Sequence, residues 1–167
     1  MPQEFNADEI FALAEKMEKN GAAYYRKAAG FLEEDDPSRR LLLGLADMED
    51  RHLKTFIKMR EEMSGSAWRA AEMGIEDEAT LYLQAYVDGK VFNPEEDAAA
   101  ELSESTSLEE ILKMAIKMEQ DSILFYLGMR DMVPENMGRD RVDAIINEEK
   151  SHVVGLSRDL EAVKKHS

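Results

Sequence analysis

Two short motifs carry the chemistry legible in this chain: Glu49-x-x-His52 and Glu149-x-x-His152 each place a carboxylate three residues before an imidazole. On a helix, residues i and i+3 share a face, so each motif presents an oxygen and a nitrogen donor to one point. Donors of this kind suit divalent cations. Two single glutamates, Glu18 and Glu119, each stand one helix before a motif. Glu49, Glu119 and Glu149 occupy steps of otherwise apolar seams, and Glu18 lies among Ala14, Gly21, Ala22 and Tyr25, so all four are expected to point inward.

Burying one unpaired carboxylate costs several kcal/mol, and four together would exceed the stability of about 5–15 kcal/mol that a domain usually has. The inward stripes hold no Lys or Arg near these positions. Two divalent cations would balance four carboxylates, so the charge count points to a two-metal site. Protonated glutamates, or two buried histidines each hydrogen-bonded to a neighbouring glutamate, are the metal-free alternatives. The chain has no cysteine, which excludes disulfides, thiolate ligands, iron–sulfur clusters and cysteine nucleophiles.

The elements that must position these residues are helical, because apolar residues recur at steps of three and four almost throughout. The pattern predicts an all-α protein of one domain, residues 1–167, with helices over about 7–34, 37–64, 108–133 and 139–164. Asn6 with Glu9, and Ser107 with Glu110, read as capping boxes, and Pro37 suits a first helical turn. The second helix is expected to stop near Gly65. Residues 65–107 are too long for a hairpin loop; they contain an amphipathic stretch from Ile75 to Val87 and a turn signal at Asn93–Pro94. A connection of that length can climb back along a helix bundle, leaving the second and third long helices parallel, whereas the short loops make antiparallel neighbours of the first pair and of the last pair.

The chain also repeats itself. LAEKMEKNGAAYY aligns with MAIKMEQDSILFY, setting Glu18 on Glu119 and Tyr25 on Tyr126. LADMEDRHLKTF aligns with IINEEKSHVVGL, setting Glu49 on Glu149 and His52 on His152. A unit present twice is a duplicated helical hairpin, not a solenoid.

A formal charge of −15 disfavours nucleic acid and anionic membrane surfaces as partners. The N-terminus lacks the basic start and apolar run of a secretory signal, and no stretch reaches the length of a membrane span, so a cytoplasmic protein is expected.

These motifs resemble the rubrerythrin group of the ferritin-like superfamily, over nearly the whole chain from about Ile10 to Val163. The resemblance implies an up-down-crossover four-helix bundle, a non-haem centre of two iron ions and chemistry with hydrogen peroxide or oxygen. By position, the implied ligands are Glu18, Glu49, His52, Glu119, Glu149 and His152, the ligand plan of ferritin-like di-iron and di-manganese proteins. Two departures stand out. The four-cysteine, rubredoxin-like iron site of rubrerythrins proper has no counterpart in a chain without cysteine, so electrons would come from a separate donor protein. The additional glutamate that rubrerythrins carry one turn beyond the third-helix ligand is Ser122 here, which brings the set closer to the four-Glu, two-His plan of bacterioferritin-like proteins.

Tyr25 and Tyr126 follow Glu18 and Glu119 by two helical turns and are candidates for hydrogen bonds behind the ligands or for one-electron donation. Glu148 is the rival of Glu149 for the ligand position, and register with Leu45, Glu49 and His52 favours Glu149. The 11 methionines, among them Met17, Met48, Met59 and Met118, sit at helical spacing and are expected to pack the core. Imidazole and carboxylate would also accept manganese or zinc. Oxidising two ferrous ions leaves two surplus positive charges, which favours chemistry that generates anions, the reduction of peroxide or oxygen. The expected function is a peroxidase or oxidase, drawn as a homodimer. The alternatives are an iron-storage ferroxidase, disfavoured because no fifth helix follows the bundle as in cage-forming ferritins, and a metal-free helical interaction module.

Overall fold

The computed structural model describes residues 7–63, 78–88 and 97–167, and every regular element among them is helical. Helices α1 (Ala7–Ala29), α2 (Pro37–Met63), α5 (Leu108–Met132) and α6 (Arg139–Lys165) are the long elements. Between them lie α3 (Glu78–Asp88), the single turn α4 (Ala98–Glu101) and, before α6, a 3₁₀ turn at Glu135–Met137. The expected cap at Asn6, the stop at Gly65, residues 75–77 of the amphipathic stretch and the turn at Asn93–Pro94 fall outside the described residues.

Local chemistry sets the ends. Ser107 and Glu110 form the capping box of α5, each side chain bonding the other residue's backbone N–H. Before α2, the Asp36 carboxylate accepts the Ser38 N–H at 2.8 Å, while Pro37 fills the first turn, where its missing N–H costs nothing. The first helix ends at Ala29 and not near 34: Gly30, Phe31 and Leu32 donate to carbonyls three residues back, tightening the chain into a turn. Phe31 and Leu32 keep the apolar period going because they still pack against the core from that turn.

Two apolar clusters fill the bundle, and their membership reveals the helix directions. One cluster takes Ile10, Phe11, Ala14 and Met17 from the start of α1, Phe56, Met59 and Met63 from the end of α2, Phe125, Tyr126 and Met129 from the end of α5, and Val142, Ile145 and Ile146 from the start of α6. The other takes Tyr24, Tyr25, Ala28 and Ala29 from the end of α1, Leu42, Leu45 and Ala46 from the start of α2, Ile111, Leu112 and Ala115 from the start of α5, and Leu156 from α6. Helices α1 and α6 therefore run one way, and α2 and α5 run the other. The parallel pair α2 and α5 requires the long crossover, as the sequence pattern implies.

Part of that crossover, α3, lies along α5. Tyr82 and Tyr86 donate their hydroxyls to the carbonyls of Leu124 and Asp121 at 3.0 and 2.9 Å, and Leu83 is buried. The approach is close enough that a Cβ on Gly128 would stand 2.6 Å from the Tyr82 ring. No helix among the described residues is long and apolar enough to cross a membrane.

Candidate metal centre

Between the two apolar clusters lies a polar layer at mid-bundle. Glu18 from α1, Glu49 and His52 from α2, Glu119 from α5, and Glu149 and His152 from α6 are all buried, and no Lys or Arg joins them among the described residues. The seams explain this placement, because each residue continues the inward stripe of its helix where that stripe passes from one apolar cluster to the other.

The donors converge. His52 Nδ1 lies 3.1 Å from Glu149 Oε1 and 3.5 Å from Glu18 Oε2. His152 Nδ1 lies 2.8 Å from Glu149 Oε2, 3.4 Å from Glu119 Oε2 and 3.7 Å from Glu49 Oε1. The two imidazoles stack with centroids 5.9 Å apart. Despite this crowding, Glu18 Oε2, Glu49 Oε1, both Glu149 oxygens, His52 Nδ1 and both His152 nitrogens have no hydrogen-bond partner. Unpartnered buried polar atoms are costly and rare, so six of them facing a shared space, all but His152 Nε2, are what a cation-binding centre requires. They form two overlapping groups, Glu18, Glu49, His52 and Glu149, and Glu49, Glu119, Glu149 and His152, with the donor atoms of each group within 4.8 Å of one another. Glu49 and Glu149 are common to both, a division of roles that spacing alone leaves open.

Electrostatics shows how the cluster is balanced by protons. Burial pushes Glu18 and Glu49 well above the ordinary carboxylate range, and Glu119 to about 8. Burial also acts to raise Glu149, but the adjoining His152 and His52 outweigh it and hold that carboxyl at about 2. Burial alone would lower both histidines; the surrounding carboxylates raise His52 to about 9 and His152 to about 10. The stable metal-free cluster is therefore a protonated one, and cations entering it must displace protons.

Behind the donors, each tyrosine crosses to the other repeat: Tyr25 donates its hydroxyl to Glu119 Oε1, and Tyr126 to Glu18 Oε1. Burial and the neighbouring carboxylates hold both phenols well above their usual range, so they remain donors. Glu148, the rival of Glu149, is half-exposed and sits outside the layer, with Oε2 2.6 Å from His52 Nε2. Its sequence signals are adjacency to Glu149 and a place four residues before His152, neither of which points to His52. Gly21 is a second residue the motifs do not disclose: a Cβ there would meet Glu49 Oε2 at 3.0 Å. Gly21→Ala is expected to raise metal-free stability by about 0.5–1 kcal/mol, through helix propensity, while lowering metal affinity by displacing the Glu49 carboxylate. Thermal melts with chelator, set beside a metal titration, separate the two effects.

A family model for rubrerythrin matches residues 9–158. The chain belongs to the rubrerythrin family. A crystal structure from Thermotoga maritima, assigned as a ferritin-like diiron-carboxylate protein, aligns with a TM-score of 0.72, covering 95% of this chain and 97% of that one at 22% sequence identity. At that identity the likeness speaks for the fold, which in this rubrerythrin-family chain is a ferritin-like bundle. No curated protein matches the sequence.

Proposed function

We propose that the centre holds two iron ions and that the protein reduces hydrogen peroxide or oxygen with electrons from a separate donor protein. The observation that carries this reading is the pair of overlapping donor groups that share Glu49 and Glu149. In it, Glu18 and His52 would hold one ion, Glu119 and His152 the other, and the shared glutamates could serve both. Four carboxylates with two neutral imidazoles carry four negative charges, which two ferrous ions neutralise. A bound iron pair supplies two electrons together, which peroxide reduction to water needs along with two protons.

The remaining work falls to the chain. Tyr25 and Tyr126 brace Glu119 and Glu18 from behind, limiting the rotation of each carboxylate. Phe56 and Met59 on one side, and Leu112 and Ala115 on the other, belong to the apolar clusters that flank the layer and keep bulk water from it.

The test is anaerobic loading with ferrous iron followed by rapid mixing with stoichiometric hydrogen peroxide. Oxidation of both ions within the mixing experiment, and re-reduction by an added electron-transfer protein, are the expected outcomes. Iron-loaded protein inert to both peroxide and oxygen overturns the proposal. Oxidation of many ferrous ions per chain, in particles of roughly several hundred kilodaltons on gel filtration, points instead to iron storage; the homodimer in this reading elutes near about 40 kDa.

A further inference from the structure

The repeat makes the two donor groups look interchangeable, and most of their surroundings agree. Each group has one motif histidine, one single glutamate braced by a tyrosine from the other hairpin, and the same two shared carboxylates. The histidines break the match. His52 faces the centre with Nδ1 while its Nε2 lies 2.6 Å from the Glu148 carboxylate. The Glu148 carboxylate accepts from Nε2–H, so when an ion displaces the inner proton, Nε2 keeps its hydrogen and Nδ1 turns its lone pair inward. His152 also faces the centre with Nδ1, but its buried Nε2 has no partner. The alignment of the repeats explains why: the position corresponding to Glu148 in the first hairpin is Met48, whose thioether is at best a weak acceptor. Met48 Sδ instead contacts Arg51.

We propose that Glu148 is a positioning residue that makes the two metal positions inequivalent: the position formed by Glu18, Glu49, His52 and Glu149 binds its ion more tightly and fills first. This inference rests on the two-ion reading of the centre. An imidazole whose outer N–H is already paired is held in one orientation and yields one tautomer when an ion displaces its inner proton, whereas His152 must settle both. Partners behind a metal-ligating histidine are worth about 10–100-fold in affinity, which sets the expected gap between the two positions. Because the Glu148 side chain is 50% exposed, its charge is screened by solvent, and its main contribution is orientation.

Titration of the metal-free protein with cobalt(II), followed by visible ligand-field absorption, tests this without any turnover. The native protein is expected to show two steps separated by about 10–100-fold in apparent Kd. Glu148→Ala should weaken the first step by that factor and leave the second in place, so that the steps merge. Glu148→Gln, which keeps an oxygen acceptor for Nε2–H, should restore most of the separation. Met48→Glu, which supplies the missing partner, should tighten the second step alone. A role confined to holding the bundle together would move both steps equally and would not be rescued by Gln. A single unresolved step in the native protein, or a Glu148→Ala variant that shifts both steps alike or neither, overturns the proposal while leaving the two-ion centre standing. Failure to bind cobalt at all overturns both.

Discussion

On the two-ion reading, Glu149→Gln is expected to cost the protein both metal ions and not one. Glu149 is the most deeply buried of the six, at 0% exposure, and its two oxygens divide their contacts, Oε1 toward His52 and Oε2 toward His152. Glutamine fits the same space but presents one oxygen and one amide nitrogen, which has no lone pair free for a cation, so at least one position loses an oxygen ligand. The substitution also removes a charge that both donor groups use. Losing a residue behind a ligand lowers metal affinity about 10–100-fold, and losing a shared ligand should exceed that at each position. Elemental analysis of reconstituted, desalted protein should find well under one metal ion per chain, with helical content unchanged by circular dichroism. Glu148→Gln serves as the neighbouring control and should retain both ions. One tightly held ion in Glu149→Gln would refute the shared role.

The second large effect is a reversal of pH dependence by metal. Without metal, Glu18, Glu49, Glu119, His52 and His152 all have folded pKa values above their unfolded ones. Between the two values the native state holds more protons than the unfolded state, so stability falls as pH rises. Glu119 makes its contribution below its ordinary carboxylate range and loses it as pH climbs to about 8; the histidines lose theirs as pH climbs through about 9 and about 10. Glu149, depressed to about 2, has the opposite sign, but its contribution is already complete at pH 5 and changes nothing above it. The metal-free protein should thus lose stability on the order of several kcal/mol between about pH 5 and 9. With metal the sign inverts, because cations displace those protons more easily as pH rises, and an ion present at 100 times its Kd adds about 2.7 kcal/mol per site. Thermal melts at both ends of that range, with chelator and with anaerobic ferrous iron, should give curves that cross. A metal-free melting temperature that rises from pH 5 to 9 would show that the cluster is not holding protons.

Much of this molecule is legible in its sequence, because helix period and burial write the same pattern. The seam through Leu42, Leu45, Glu49, His52, Phe56 and Met59 carries α2 and its inward donors in a single register, and every one of these residues is buried. The repeat paired the hairpins, and the length of residues 65–107 implied that α2 and α5 run parallel. What could not be read were facts of side-chain reach. Period places Tyr25 on the face of Glu18, yet its hydroxyl bonds Glu119, since a tyrosine two turns along its own helix is better aimed at the facing one. Register already favours Glu149 over Glu148 as the inward residue, but it does not disclose that the Glu148 side chain reaches the outer edge of His52. The end of α1 is hidden from the sequence for a related reason: Phe31 and Leu32 satisfy the apolar period from a turn, where burial continues after the helical hydrogen bonds have stopped.

Each donor group draws three residues from one hairpin and one from the other. During synthesis the first hairpin leaves the ribosome with Glu18, Glu49 and His52 but without Glu149, and an ion caught then would have three ligands and an open side. The centre closes only once the last long helix has emerged and folded back across the first two. On the two-ion reading, ions are therefore taken up by the assembled bundle, because neither hairpin alone carries a complete donor group.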